Sequence, residues 1–348
     1  MTDTAHAVSP DSGAHWTEPG AWPVGPGVHR IPLPLPTDGL RAVNVYVLET
    51  DDGLTLVDGG WAIEVSRTLL EKSLADLGAG IGDVRRFLVT HVHRDHYTQA
   101  VTIRREVGSH VSLGLGDKPS LDQLHAPTEE APHPAMLDAA GAPHLAREWA
   151  AYVRDEDVDR SLWDYPDAWL EGDVTLAVGD RTLDAVHTPG HTQGHYVFAD
   201  RAAGLLFAGD HVLPTITPSV GFEGVPTPQP LGDFMASLAR VRDLPDLRLL
   251  PAHGPLAPSS HARVAELLDH HEERLALSLA AVRGGARTAY DVAGELPWTR
   301  HGRRLESLDV FNAGLATMET RAHLELLRAR GEVEATEVDG VVAYAALR

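Results

Sequence analysis

A six-residue segment, HVHRDH at positions 91–96, constrains this chain more than any other feature of its sequence. Its histidine and aspartate side chains can all bind a metal ion, and they follow the apolar segment 86–90, which is predicted to be a strand. Residues two apart in an extended chain point to the same side, so His91 and His93 can bind one ion as a pair. If the chain then turns, Asp95 and His96 can face a second ion next to the first.

Three further ligand-type residues lie far along the chain, each in a turn directly after another predicted strand. They are His191 in the segment TPGHT, Asp210 in FAGD and His253 in LPAHG. One isolated loop histidine is more often an ordinary surface residue than a ligand, but a chance explanation would have to supply all of these matches together. The sequence therefore predicts a site for two metal ions.

The absence of cysteine from the chain narrows the chemistry of such a site. It excludes disulfides, iron-sulfur clusters and thiolate-bound zinc, so the ligands must be histidines and carboxylates. This set of nitrogen and oxygen donors accepts divalent zinc, iron or manganese and does not by itself distinguish among them. We favour zinc for both ions.

The net charge of -21 over 348 residues limits the partners of the chain. Such a charge repels nucleic acid and anionic lipid over most of the surface, so we expect a small-molecule substrate and neither a nucleic-acid nor a membrane partner. Residues 1–22 are polar and lack the features of a secretory signal, and we interpret them as a disordered tail. No apolar stretch approaches the roughly 20 residues of a membrane-spanning helix. We expect a cytoplasmic protein and leave a homodimer open.

The order of the predicted elements is that of an α/β protein. Strand-like and helix-like segments alternate up to about residue 260, so residues 23–260 are predicted to form one large domain that holds all the ligand-type residues. Within it, residues 116–171 are interpreted as an insertion near the site. Residues 261–348 change to helices followed by a pair of strands, which predicts a smaller winged-helix-like domain.

These motifs resemble those of the metallo-β-lactamase-fold hydrolase superfamily, and the resemblance covers about residues 28–260. It implies a four-layered αβ/βα sandwich with the site along one edge, between two sheets. It also implies a division of the ligands: His91, His93 and His191 on the first metal, Asp95, His96 and His253 on the second, and Asp210 bridging both. Asp58, in the segment LVDGG, matches the superfamily motif whose Asp supports the ligands from behind.

The chain differs from particular branches of the superfamily at individual residues, and these differences narrow the choice of branch. Asp210 stands where the cysteine-bearing β-lactamases have Cys, and the diiron oxygen reductases have Glu at the position of His93. The chain is instead similar to the glyoxalase II-like, lactonase-like and nuclease-like branches. The segment 263–348, with Ala322-His323-Leu324, resembles the helical, winged-helix-like extension of the branch that includes β-lactamase-like protein 2.

The resemblance implies a hydrolase in which two ions stabilise a bridging hydroxide that attacks the substrate. We expect an ester, thioester or lactone of a small molecule, with Asp95 and Asp210 as the catalytic carboxylates. A metal-dependent nuclease or phosphodiesterase is the alternative, with Arg104, Arg105 and Arg300 among the candidates for guiding phosphates. A noncatalytic metal-binding regulatory protein is a second alternative.

Several residues outside the ligand set are also candidates. His187 and His195 lie near the ligands in the sequence, and we expect them to form hydrogen bonds or to pack rather than to bind metal. Residues predicted to line the substrate cleft are His211, Phe222, Trp163 and Tyr165.

Overall fold

The computed structural model describes residues 7–36, 39–126, 132–154, 159–299 and 302–347. The chain divides into two compact units. The first comprises the described residues of 1–125, 160–218 and 237–265, and the second comprises those of 126–159, 219–236 and 266–348.

A seven-stranded sheet in the first unit follows the order of the sequence. Its first four strands are antiparallel neighbours, and the last four run parallel. The strands are β1 (Trp22–Gly25), β2 (Val28–Pro34), β3 (Ala42–Thr50), β4 (Gly53–Val57), β5 (Val84–Leu88), β6 (His110–Gly114) and β7 (Ala168–Leu170). The sequence pattern predicts a hairpin from residues 42–49 and 54–57, and β3 and β4 form it, joined by a turn at Asp51-Asp52.

The second sheet of this unit has five strands in the order β12-β11-β10-β9-β8. Only β11 and β12 are parallel among its neighbours. The strands are β8 (Val174–Val178), β9 (Arg181–His187), β10 (Tyr196–Asp200), β11 (Leu205–Gly209) and β12 (Arg248–Pro251).

The alternation of side chains along the strands divides the core of this unit into two layers. On β3, Val45 and Val47 pack with residues of α1 (Glu64–Asp76) and α2 (Arg94–Val107). The intervening Tyr46 and Leu48 point to the other face and pack with residues of the second sheet. Successive strand residues face opposite sides, so one strand can contribute to both layers. This arrangement confirms the predicted α/β sandwich.

The second unit is mainly helical. Its elements are α4 (Pro132–Ala139), α5 (Pro143–Arg154), α8 (Ala289–Glu295), α9 (Val310–Ala329) and the antiparallel pair β13 (Val333–Val338) and β14 (Val341–Ala346). Two helices continue from one unit into the other, α6 (Pro230–Asp243) and α7 (Ser260–Gly284). The predicted C-terminal helical extension and its closing strand pair are confirmed; its winged-helix character stays a prediction.

Three sequence expectations differ from the structure in detail. Residues 7–22 are not a disordered tail, since Trp16 is buried and Asp11 forms a buried ion pair with Arg30. The expected insertion is divided: α3 (Lys118–His125) belongs to the first unit, and residues 126–159 cluster with the C-terminal helices. Finally, the sequence pattern predicts a helix over residues 99–107, whereas α2 begins at Arg94.

Among the helices of the described residues, none is long and apolar enough to cross a membrane.

Candidate metal centre

The start of α2 explains how one short segment supplies two groups of ligands. Residues Val89 to His93 leave the end of β5 in extended or bent conformations, and His93 is the N-cap of α2. Asp95 and His96 therefore lie in the first helical turn, while His91 and His93 precede it. A helix start changes the direction of successive side chains from about 180° to about 100° per residue, which separates the two pairs.

The first group consists of His91, His93, His191 and Asp210. One ligand-type atom from each residue lies within 4.8 Å of all the others. The Nδ1 atom of His93 is 2.9 Å from Nε2 of His91 and 3.1 Å from Nε2 of His191. Three imidazole nitrogens thus meet at one point, which is the geometry that a tetrahedral ion requires of three histidine ligands.

The second group consists of Asp95, His96 and His253, and it adjoins the first. The Nε2 atom of His253 is 3.4 Å from Oδ2 of Asp95, and the Nε2 atom of His96 is 3.6 Å from the same oxygen. The ring Nδ1 of His253 lies 2.7 Å from the carbonyl oxygen of Ala42. Because a carbonyl can only accept, Nδ1 carries the proton and Nε2 presents its lone pair to Asp95.

Asp210 lies between the two groups, with one carboxylate oxygen toward each. Its Oδ2 atom is 3.5 Å from Nε2 of His191, and its Oδ1 atom is 3.3 Å from Nε2 of His253 and 3.6 Å from Nε2 of His96. The structure thus brings all seven predicted ligands together, in the two groups and with the bridging position that the resemblance implies.

The buried polar atoms of the second group test whether a cation fits there. Four atoms that face this group have no hydrogen-bond partner among the described residues: Oδ2 of Asp95, Nε2 of His96 and Nε2 of His253 in the group itself, and Oδ1 of Asp210 beside it. All four act as acceptors when the two rings are neutral, and buried acceptors that face one another are costly unless a cation lies between them. The donor set therefore fits a divalent ion, and the three histidines and one carboxylate of the first group fit a second.

The charge of the site also favours cations. Burial by itself lowers the pKa of His96, but the carboxylates of Asp58, Asp95 and Asp210 outweigh it and raise the pKa to about 10. At His93, by contrast, burial and the neighbouring His191 lower the pKa to about 3. At His253 burial also lowers the pKa, but Asp210 and Asp95 outweigh it and raise the pKa above its usual value. The carboxylates thus favour positive charge at the site, which two dications would supply.

Asp58 holds His96 from behind, which is the supporting position predicted for it. Its Oδ2 atom is 2.9 Å from Nδ1 of His96, and its Oδ1 atom accepts from the backbone N–H of Thr90 at 2.8 Å. The Thr90 hydroxyl lies 3.0 Å from Oδ1 of Asp58 and 3.0 Å from Nδ1 of His91. Asp58 and Thr90 thus fix the orientation of rings from both groups, as outer partners of metal ligands commonly do.

His195 positions Asp210 through the backbone. Its Nδ1 lies 2.9 Å from the Thr188 hydroxyl, and its Nε2 accepts from the N–H of Asp210 at 3.2 Å. The neighbouring Gly209 has a φ of 50°, and a Cβ there would lie 2.6 Å from Nε2 of His195. Only glycine fits this turn without displacing the histidine. His195 therefore forms hydrogen bonds rather than binding metal, and His187 likewise contacts the carbonyl oxygen of Gln193 at 2.8 Å.

Asp117 is a site residue that the sequence reasoning missed. Its Oδ2 atom accepts from the N–H of Val92 at 2.8 Å, and its Oδ1 atom accepts from the N–H of Gly194 at 2.7 Å. It therefore connects the turn of His91 and His93 to the turn of His191. Burial raises the pKa of Asp117 to about 7 against these hydrogen bonds. The sequence does contain a signal for Asp117. This residue closely follows β6, which is the parallel neighbour of β5, the strand that precedes His91.

The four residues predicted to line the substrate cleft lie in different surroundings. His211 is fully buried, and its ring packs 5.9 Å from that of His195; its role in lining the substrate cleft stays a prediction. Trp163 is partly buried against Tyr97 and the first core layer. Tyr165 is exposed, and its hydroxyl donates to Asp122 at 2.6 Å. Phe222 belongs to the second unit, where its ring stacks on His133.

A family model described as the metallo-beta-lactamase superfamily matches residues 38–253. All seven ligand-type residues lie in this segment. The chain belongs to the metallo-beta-lactamase superfamily, and the resemblance stated from its motifs is confirmed.

Individual relatives agree with this assignment. A Caenorhabditis elegans protein named beta-lactamase-like protein 2 homolog is 27% identical over 235 residues, which are 68% of this chain and 63% of that protein. A Paecilomyces divaricatus protein named atrochrysone carboxyl ACP thioesterase is 23% identical over 271 residues, 77% of this chain and 69% of that protein. The crystal structure of a metallo-beta-lactamase family protein from Thermus thermophilus is similar with a TM-score of 0.76 and 28% identity, covering 92% of this chain and 99% of that one. The chain thus spans less than two thirds of the length of the first relative.

Proposed function

We propose that this chain is a hydrolase that uses two divalent metal ions, with zinc favoured, to cleave an ester, thioester or lactone in a small molecule. The position of Asp210 between the two ligand groups carries the proposal, because a carboxylate shared in this way suits a pair of adjacent ions. When bound, the two ions would lower the pKa of a water molecule and polarise a carbonyl oxygen of the substrate.

Asp95 is the carboxylate best placed to handle the proton of the attacking water. Its side chain keeps 13% of its surface exposed, against 8% for Asp210, and only one of its two oxygens faces His96 and His253. A carboxylate with a free oxygen at the edge of the site can orient water and accept a proton. Asp210 is enclosed more fully, which suits holding both groups together.

The candidate arginines Arg104 and Arg105 form ion pairs with Asp164, and this favours carbonyl substrates over phosphodiesters. Arg105 is 2.6 Å from Oδ2 of Asp164, and Arg104 contacts the same carboxylate at 3.3 Å. Arginines engaged in this way are less available to guide phosphates. Arg300 lies outside the described residues. The relative from Paecilomyces divaricatus that is named as a thioesterase supports including thioesters among the candidates.

A panel of substrates tests this proposal. The purified chain, loaded with zinc, is assayed with acyl thioesters, aryl esters, lactones, bis-p-nitrophenyl phosphate and short RNA. We expect turnover of at least one carbonyl compound that disappears on chelation and returns with zinc. His191→Ala should abolish that turnover, whereas the exposed His110→Ala should retain it. Cleavage of RNA alone would refute the preferred function in favour of the nuclease.

A further inference from the structure

A second cluster of metal-binding residue types lies in the second unit, between α7 and α9. His270 and His271 on α7 and Glu319 on α9 each offer one ligand-type atom, and these atoms all lie within 4.8 Å of one another. None of the three belongs to the centre described above. His323, one turn after Glu319 on α9, adjoins His271.

The hydrogen bonds of His323 determine which of its ring nitrogens carries the proton. Its Nδ1 lies 2.8 Å from the backbone carbonyl oxygen of Glu319, which can only accept. In the neutral ring the proton is therefore on Nδ1, and Nε2 of His323 presents a lone pair.

The same reasoning continues to His271. Its Nδ1 is 3.2 Å from Nε2 of His323, so Nδ1 of His271 is the donor in that contact. In the neutral ring its Nε2 is then a lone pair, and this atom is fully buried and has no hydrogen-bond partner within the part of the chain that the structure describes. A ring whose Nδ1 is anchored while Nε2 is left as a lone pair has the arrangement of a metal-ligating histidine.

One charged residue near the cluster, Arg274, opposes the binding of a cation. Arg274 lowers the pKa of His271, but its guanidinium donates to the carbonyl oxygen of Pro297 at 2.8 Å and lies over the ring of Trp298. The carbonyl oxygen of Pro297 and the ring of Trp298 thus fix the position of the guanidinium. Burial raises the pKa of Glu319, and the charge of Arg274 acts on it in the opposite direction. Arg274 is thus a charged neighbour of both His271 and Glu319.

We propose that His270, His271 and Glu319 bind a third divalent ion of the zinc type, which links α7 to α9. Two imidazole nitrogens and one carboxylate oxygen form a recognised zinc ligand set with a position left for water. Ligand atoms on a tetrahedral zinc ion lie about 3.4 Å apart at bond lengths of about 2.1 Å, so modest side-chain rotations would complete the site. This proposal is independent of the hydrolytic function proposed above.

Zinc content measured on the full chain tests the third site. Wild type, His270→Gln and Glu319→Gln are dialysed against the same free zinc concentration, and bound zinc is measured by mass spectrometry. We expect each variant to hold about one zinc ion fewer than wild type, to gain less thermal stability from added zinc, and to keep its hydrolytic rate. His270 is partly exposed and Glu319 is replaced by a near-isostere, so both variants should fold.

Matched controls are His110→Gln and Glu273→Gln, which change exposed residues of the same types. Both should bind as much zinc as wild type. Equal zinc in wild type, His270→Gln and Glu319→Gln would overturn the third site, whatever the substrate panel shows. His191→Ala should lose hydrolysis but keep the ion bound by His270, His271 and Glu319, so the two proposals can fail independently.

Discussion

Replacing Asp210 by Asn is expected to lower kcat/KM for the hydrolysed substrate by about 10³-fold. The substitution keeps the size of the side chain but removes a negative charge that faces both ligand groups, at 3.5 Å from His191 and 3.3 Å from His253. An amide also offers one acceptor oxygen where the carboxylate offers two. Both ions should bind more weakly, which steady-state kinetics and zinc analysis of the purified variant would measure together.

Asp243→Asn is the matched control for this substitution, because Asp243 is an exposed aspartate at the end of α6. It should leave kinetics and zinc content unchanged. An Asp210→Asn chain that kept both its zinc and its hydrolytic rate would contradict the bridging role of Asp210.

Replacing Asp11 by Asn is expected to destabilise the chain by about 3 kcal/mol at neutral pH. Arg30 is fully buried and pairs with Asp11 through two nitrogens, at 2.7 and 3.2 Å. Its remaining nitrogen donates to Trp16 and Asn44, so nothing among these partners replaces the lost charge. The free energy of unfolding, measured with a chemical denaturant, should show the loss. Asp51→Asn, in the exposed turn after β3, should have little effect.

The same ion pair predicts a pH dependence. Burial alone would raise the pKa of Asp11, but the hydrogen bonds and charge of Arg30 lower it below its usual value of 3.8. A carboxyl group with a lowered folded-state pKa stabilises above its unfolded pKa and loses that contribution as pH falls through the folded pKa. The stability difference between wild type and Asp11→Asn should therefore be constant above about pH 5 and shrink below about pH 4. A difference independent of pH would contradict the ionic interpretation.

The metal ligands could be predicted from the sequence because each one directly follows a recognisable strand. His91, His191, Asp210 and His253 all lie within a few residues of the ends of β5, β9, β11 and β12. The fold was predictable for a related reason, since the alternation of strands and helices is a local pattern. The sequence pattern also predicts the closing strands over 333–338 and 341–346, and the structure has these bounds, Val333–Val338 and Val341–Ala346.

The features that sequence reasoning missed depend on contacts between distant parts of the chain. Asp117 accepts from residues 25 and 77 positions away, and the Asp11 and Arg30 pair joins residues 19 apart. The polar composition of residues 1–22 favours disorder, but in residues 7–22, the part of this segment that the structure describes, one buried ion pair and Trp16 outweigh it. His211 stands next to Asp210 in the sequence, but its side chain is fully buried and packs beside the ring of His195.

The early start of α2 has a different cause. Asp95 and His96 are poor helix formers, so the helical pattern is visible only from Gln99 onward. Tertiary contacts determine the first turn instead: Asp58 contacts His96, and the carbonyl oxygen of His96 accepts from the N–H of Gly59 at 2.7 Å. The ligand positions thus depend on a helix start that local propensity alone would not predict.

A zinc titration of the metal-stripped chain tests the two-metal site most directly. It is best carried out on the His270→Gln chain, in which the proposed third ion does not contribute, while hydrolysis and bound zinc are measured on the same samples. The metal-free chain should be inactive, and the rate should rise with zinc and saturate at about two ions per chain. Full activity without metal, or saturation at a single ion, would contradict a site in which Asp210 joins two ions.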